Sequence, residues 1–150
     1  MMNLRDYLPP ENIVLDLAPP SKAILIKQLS RLAAERLALD AGDLARVLTN
    51  RENLGSTGIG AGIAIPHAGI SGIDRHFCLF ARLADPIDFQ AVDDEPVDLV
   101  FLLLTPEGRR NHLNVLACIA RCVRDEEIAA AIRRATTPQD VYLWLCPVNA

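Results

Sequence analysis

Long charged runs and long apolar runs are both missing from this sequence of 150 residues. Its 15 basic and 19 acidic residues give a net charge of −4 and form no extended block of one sign, which argues against a nucleic-acid-binding or membrane-surface protein. No apolar stretch approaches the roughly 18 residues that cross a bilayer. Met1 to Pro10 also lack the basic and then apolar segments of a secretory signal. We therefore expect a cytoplasmic protein with no nucleic-acid partner and no membrane insertion.

Metal-binding patterns of cysteine and histidine are absent as well. The four cysteines show no Cys-x-x-Cys spacing and lie within or beside apolar stretches, which predicts buried, reduced thiols. The spacing of the three histidines matches no zinc motif, and no carboxylate or cysteine joins them at a helical interval. These residues are Cys78, Cys118, Cys122, Cys146, His67, His76 and His112. The sequence predicts no metal site and no cofactor.

Glycine is concentrated in one segment. Residues 55–67 read Gly-Ser-Thr-Gly-Ile-Gly-Ala-Gly-Ile-Ala-Ile-Pro-His, and glycine lets backbone amides approach an anion closely. The Walker pattern for nucleotides needs a lysine and a hydroxyl where Ala61 and Gly62 stand, and a dinucleotide fingerprint would open a helix instead of preceding a strand. The Gly-x-Ser-x-Gly motif of hydrolases is also absent. Nucleotide binding and serine hydrolase chemistry are therefore disfavoured.

The hydrophobic pattern predicts one layered α/β or α+β domain over residues 1–150. A hydrophobic content of 51% is enough for a substantial core, and no linker or repeat divides the chain. Val97–Leu104 is almost continuously apolar, which predicts a strand covered on both faces. Other predicted strands cover 12–17, 63–65 and 76–83, and predicted helices cover 21–39, a segment from 42 to the glycine run, 111–125, 128–135 and 138–145. Thr105-Pro106-Glu107 has the chemistry of a helix start.

Two polar side chains fall on helix faces that are otherwise apolar. Leu44, Val47 and Leu48 form the inner face of the second predicted helix, and Arg51 lies on that same face, where a guanidinium needs an anionic partner. His112 lies on the apolar face at the beginning of the helix predicted from residue 111. His112 on its own is more simply explained as a hydrogen-bonded core group.

His67 is the remaining candidate for a reactive side chain. A neutral imidazole can accept a phosphoryl group on one ring nitrogen while the other nitrogen donates to a carbonyl. Phosphoryl transfer needs mainly positioning and charge stabilisation, which glycine-run amides, Arg51 and a second imidazole at a helix N-terminus would supply. The plainer alternative is a turn residue that follows Ile65-Pro66.

Three motifs together resemble the signature of the mannitol/fructose-type IIA proteins of the bacterial phosphoenolpyruvate-dependent phosphotransferase system. They are Arg51-Glu52, Gly55-Ser56-Thr57-Gly58-Ile59-Gly60 and Gly62-Ile63-Ala64-Ile65-Pro66-His67. Pro86-Ile87-Asp88-Phe89, the segment 93–99 and His112-Leu113 extend the match over nearly the whole chain. The resemblance implies a single IIA domain with a mixed sheet of about five strands, flanked by helices.

The resemblance also implies roles for individual residues. His67 would accept a phosphoryl group from an HPr-like phosphohistidine carrier, with His112 as a second active-site histidine and Arg51 stabilising the phosphate. Candidate phosphate contacts in the glycine run are Ser56, Thr57, Gly60 and Gly62, and the two hydroxyl residues are equally explained as shaping the turn. His76 is taken as structural. Ala68 departs from the family pattern, since glycine commonly follows the active histidine.

Two functional classes stay open at this point. A regulatory IIA protein of the nitrogen-related branch would control bound partners, such as a transporter or a kinase, through its phosphorylation state. A sugar-specific component would instead be a phosphotransferase that passes the group to a cysteine of a IIB domain, which this chain does not contain. The chain lacks a permease domain and has the stretch Gly-Ser-Thr-Gly-Ile-Gly-Ala-Gly, and both features favour the regulatory branch.

Overall fold

A computed structural model describes residues 4–108 and 112–145. Within these ranges, two short 3-10 helices at Leu4–Asp6 and Pro10–Asn12 precede six strands and five α-helices. The strands are β1 Ile13–Leu17, β2 Gly58–Gly60, β3 Ile63–Ala64, β4 His67–Ile70, β5 Phe77–Ile87 and β6 Val97–Pro106. The helices are α1 Lys22–Leu37, α2 Ala41–Leu54, α3 His112–Arg124, α4 Glu126–Arg134 and α5 Pro138–Leu145. All the predicted helices and strands are present, with small shifts at their ends, whereas β2 and β4 were not predicted.

Side-chain caps explain where the helices begin. The Ser21 hydroxyl accepts a hydrogen bond from the amide of Ile24 at the start of α1, 3.3 Å away, and Asp40 accepts one from Asp43 at the start of α2, 2.8 Å away. Asp125 and Thr137 cap α4 and α5 in the same way. None of the described helices is both long and apolar enough to cross a membrane.

The prediction that Thr105-Pro106-Glu107 begins a helix is wrong. Thr105 and Pro106 pair with Gly69 and Ile70 of β4, so β6 continues through both residues. The backbone amide of Glu107 then donates to the carbonyl of Ile70 at 2.9 Å. Strand pairing therefore keeps both residues in extended backbone, and no helix begins there.

The sheet is mixed, and its central strand is β6. Strand order is β1-β5-β6-β3-β2, with β4 also paired to β6. β3 and β4 both run parallel to β6 along the same edge, one after the other, because Ile65 and Pro66 interrupt the ladder between them. The six strands of the described chain therefore occupy five rows, which agrees with the predicted sheet of about five strands.

Helices cover both faces of this sheet, as the apolar pattern of β6 predicts. Val100, Leu102 and Leu104 of β6 belong to one buried cluster, which includes residues of α1 and α2. Alternate residues Leu99, Phe101 and Leu103 belong to a second buried cluster, which includes residues of α3, α4 and α5. All six β6 side chains are fully buried, so the strand provides a rigid base for the residues at its carboxyl end.

Candidate active site

His67 is the first residue of β4 and follows directly on the interruption of the strand row at Pro66. The Pro66 carbonyl accepts a hydrogen bond from the amide of Leu103 at 2.9 Å, and His67 pairs with Leu103 in the parallel ladder. The half-buried imidazole lines a pocket of about 310 Å³ beside the first three residues of β4 and the carboxyl end of β6. Main-chain contacts to the most buried strand thus hold the residue in position.

One ring nitrogen of His67 has a defined role. Its Nδ1 lies 2.8 Å from the carbonyl oxygen of Ile65, and because a carbonyl can only accept, Nδ1 carries the hydrogen. The lone pair of the neutral imidazole is then on Nε2. His67 is held in the tautomer in which Nε2 is the nucleophilic atom.

Arg51 lines the same pocket from the last turn of α2. Its Nη1 donates to the carbonyl oxygen of Gly55 at 3.0 Å, a bond that fixes the side chain at the end of the helix. The guanidinium is half-buried, so its charge is only partly screened by water. The structure brings Arg51 and His67 to one pocket, together with Ala68, Gly69, Leu103, Thr105, Pro106, Glu107 and Gly108.

A buried ion pair lies behind this site, and the sequence analysis missed it. Glu52 is 7% exposed, and its carboxylate lies 2.9 Å from the ammonium nitrogen of Lys22. The same carboxylate accepts hydrogen bonds from the amide and the hydroxyl of Thr57. Lys22 also donates to the carbonyl of Phe89 and stands over its ring. Glu52 lies four residues after Leu48, on the inner face of α2, so the argument used for Arg51 applies to it as well.

A family model described as the phosphoenolpyruvate-dependent sugar phosphotransferase system, EIIA 2, matches residues 6–145. The chain belongs to the EIIA 2 family. A nitrogen regulatory protein of Bradyrhizobium diazoefficiens is 44% identical over 152 residues, with 99% of each chain covered. A fructose-specific EIIA component of Haloferax volcanii is 36% identical over 142 residues, with 93% of this chain and 92% of that protein covered.

Among solved structures, the nitrogen regulatory protein IIA-Ntr of Neisseria meningitidis has the same fold. Its crystal structure matches this EIIA 2 chain with a TM-score of 0.90 at 34% sequence identity, covering 95% of this chain and 98% of that one. The match confirms the predicted fold class, a mixed sheet flanked by helices. It also confirms the resemblance to IIA proteins that the signature residues indicated.

Ser56 and Thr57 make contacts within the scaffold of the EIIA 2 chain. The Ser56 hydroxyl donates to the carbonyl of Phe89 at 2.8 Å and accepts from the amide of Gly58. Thr57 is buried and donates to Glu52. Neither residue lines the described part of the His67 pocket. These bonds match the turn-shaping interpretation, while direct phosphate contact by Ser56 and Thr57 stays a prediction.

Gly60 and Gly62 flank a turn that contacts charged side chains of other elements. The amide of Ala61 donates to Asp93 at 2.9 Å, and this bond is the largest cause of the lowered pKa of the Asp93 carboxyl. The Ala61 carbonyl accepts a hydrogen bond from Arg133, which also makes two hydrogen bonds to Asp98. Among the described residues, neither glycine lines the His67 pocket. Contact of Gly60 and Gly62 with phosphate therefore also stays a prediction.

We expect Gly62→Ala to destabilise the fold by about 1–3 kcal/mol, since the new side chain would be forced into positive φ. Gly62 has φ +79°, and a Cβ there would meet Nη2 of Arg133 at 2.6 Å. Urea denaturation followed by circular dichroism measures the change. Gly55→Ala is the matched control, because a Cβ at Gly55 would meet nothing within 4 Å. Equal stability of the two variants would contradict the prediction.

His112 is the first residue of α3, but its side chain lies outside the described residues. Cys146 lies outside them too. The prediction of a second active-site histidine therefore stays a prediction. His76 is buried beside Tyr7, with ring centroids 5.4 Å apart, in the segment that leads into β5, and it is not among the described residues that line the His67 pocket.

Proposed function

We propose that this EIIA 2 protein is a phosphocarrier that accepts a phosphoryl group on Nε2 of His67 from an HPr-like phosphohistidine protein, and that it acts in the cytoplasm as a nitrogen-related regulatory component. The observation that carries the proposal is the hydrogen bond from His67 Nδ1 to the Ile65 carbonyl, 2.8 Å long. This bond orients the ring, and it fixes the nucleophilic nitrogen in a pocket that also contains a guanidinium.

The transfer step needs no proton movement at His67. The lone pair of Nε2 attacks phosphorus, the bond between phosphorus and the donor's imidazole nitrogen breaks, and the electron pair of that bond returns to the donor. The hydrogen stays on Nδ1, which keeps donating it to the Ile65 carbonyl, and this bond stabilises the positive charge that develops on the ring. Arg51 would stabilise the negative oxygens of the moving group. In the proposal His112 contributes from the start of α3, and Ser56, Thr57, Gly60 and Gly62 keep their predicted role near the phosphate.

The names of two relatives favour regulation over sugar transport. The relative at 44% identity and the solved structure at 34% identity are both called nitrogen regulatory proteins. For the regulatory role, phosphorylation of His67 would change the binding of a target protein, such as a transporter or a kinase. The alternative, favoured by the fructose-specific name of the relative at 36% identity, is transfer to a IIB cysteine.

Two cysteines of the chain are poorly suited to accept the phosphoryl group. Burial, with smaller contributions from Cys118 and Asp125, raises the pKa of the Cys122 thiol to about 11. A thiol with that pKa stays protonated at neutral pH and is a poor nucleophile. Cys78 is fully buried in the sheet. Neither residue can serve as the next phosphoryl acceptor within the chain.

The experiment that tests the function combines the protein with phosphoenolpyruvate, enzyme I and an HPr-like carrier. We expect an acid-labile mass increase of one phosphoryl group in the intact protein, absent when the carrier is omitted. A protein that gains no phosphate under these conditions would overturn the proposal. Adding a IIB domain to the phosphorylated protein distinguishes the two classes, because rapid loss of phosphate to a IIB cysteine would support the sugar-specific alternative.

Replacing Arg51 tests the charge in the pocket. We expect Arg51→Ala to slow phosphorylation by about a hundredfold, since a missing transition-state donor costs about 2.7–4 kcal/mol. Quench-flow or rapid acid-free mass spectrometry measures the rate. Arg46→Ala is the matched control, because Arg46 lies on the same helix but is exposed and pairs only with Asp43 among the described residues. Similar rates for both variants would show that Arg51 does not assist the transfer.

A further inference from the structure

The His67 pocket contains a buried hydroxyl to which the proposed mechanism gives no role. It belongs to Thr105, which is 5% exposed and lies near the carboxyl end of β6. A valine would fill the same strand position without a hydroxyl that needs a hydrogen-bond partner. Thr105 Oγ1 takes part in none of the hydrogen bonds described within residues 4–108 and 112–145, and it is not one of the fully buried side-chain atoms there that lack a partner, so the hydroxyl keeps some access from the pocket that Thr105 lines.

Strand register places this hydroxyl on the same face of the sheet as His67. β4 and β6 are parallel, with His67 paired to Leu103 and Gly69 paired to Thr105. Because side chains alternate between the two faces of a sheet, residues 67, 69, 103 and 105 share one face. All four line the pocket of about 310 Å³.

Gly69 keeps the hydroxyl accessible from the pocket. A Cβ built on Gly69 would have Thr105 Oγ1 as its nearest neighbour, at 3.7 Å. The hydroxyl is therefore next to the backbone of β4, two residues beyond His67. Since no side chain stands at position 69, a group bound to the His67 ring can occupy this space.

We propose that Thr105 Oγ1 donates a hydrogen bond to an oxygen of the phosphoryl group on His67 Nε2. The inference rests on the function proposed above and adds a specific contact to it. Transfer breaks the nitrogen–phosphorus bond of the donor and forms the one to Nε2, while the hydroxyl proton remains on Thr105. Hydrogen bonds to charged acceptors are stronger than neutral ones, so the contact stabilises the phosphorylated form and the transition state.

The test compares Thr105→Val, which removes the hydroxyl at nearly constant volume, with Thr105→Ser, which retains it. We expect Thr105→Val to slow phosphorylation by the HPr-like carrier about tenfold and to shorten the lifetime of the phosphohistidine, as follows from the usual strength of a hydrogen bond to a charged group. Thr105→Ser should restore both to near the wild-type values. The ³¹P chemical shift of the phosphorylated protein should move in Thr105→Val only, which a purely structural role would not cause.

The outcomes separate this inference from the function on which it rests. If the wild type takes up no phosphate, the proposed function and this contact are both overturned. If the wild type is phosphorylated and Thr105→Val matches it in rate, lifetime and ³¹P shift, the contact alone is overturned. If Thr105→Val folds poorly, Thr105→Ser is compared with Thr105→Cys instead. These two variants differ by one atom, and a thiol is a weaker hydrogen-bond donor than a hydroxyl. Equal rates for these two variants would also overturn the contact.

Discussion

His67→Gln is expected to abolish phosphorylation of the protein while leaving it folded. Glutamine is similar in size and polar, but its amide nitrogen has no available lone pair and cannot form a bond to phosphorus. His67 is half-buried at the start of β4, and its backbone pairing with Leu103 does not depend on the side chain. Intact-mass analysis after incubation with phosphoenolpyruvate, enzyme I and the HPr-like carrier measures the effect, and it should show no mass increase.

His76→Gln is the matched control for this experiment. His76 is also a histidine beside a strand of the sheet, but it packs against Tyr7 and lies outside the His67 pocket. Its glutamine variant should be phosphorylated at the wild-type rate, even if its melting temperature falls. Phosphate uptake by His67→Gln, or its loss in a folded His76→Gln protein, would show that His67 is not the acceptor.

Glu52→Ala is expected to lower the free energy of unfolding by about 3–5 kcal/mol, as is typical when one partner of a buried ion pair is removed. The Lys22 ammonium would remain at low exposure without its carboxylate, and the hydroxyl and amide of Thr57 would both lose an acceptor. Urea denaturation at neutral pH measures the loss.

Two further variants show whether burial causes the effect. Glu35→Ala removes an exposed carboxylate from α1 and should change the stability by less than about 0.5 kcal/mol. Removing both partners, in Lys22→Met with Glu52→Leu, should restore much of the stability, because no buried charge is then left unpaired. If Glu52→Ala were as stable as Glu35→Ala, the pair would have no structural importance.

Much of this fold is predictable from local patterns. The apolar run at 97–104 predicts a strand covered on both faces, and the two buried clusters on either side of β6 confirm it. Ser21 and Thr137, which cap α1 and α5, lie at the boundaries predicted for these two helices. These features follow from residues close together in the chain, which is why short-range reasoning finds them.

The parts that were not predicted depend on contacts between distant segments. β2 and β4 are short and rich in glycine or lack a clear alternation, so only their pairing with β3 and β6 makes them strands. The helix-start chemistry at Thr105 fails for the same reason, since Thr105 and Pro106 pair with β4. Within the candidate site, Arg51 and His67 were predicted and share a pocket. The contact between Lys22 and Glu52 joins α1 to α2, and no spacing in the sequence specifies that distance.

The interruption of the strand row at Pro66 determines which part of the molecule holds His67 in position. His67 is attached by its backbone to β6, the strand with the most buried side chains, whereas Glu107 and Gly108, which line the same pocket, are exposed. Under the proposed function, a substitution at either exposed residue would leave Nε2 of His67 in place, because the strand and the Ile65 carbonyl position the imidazole.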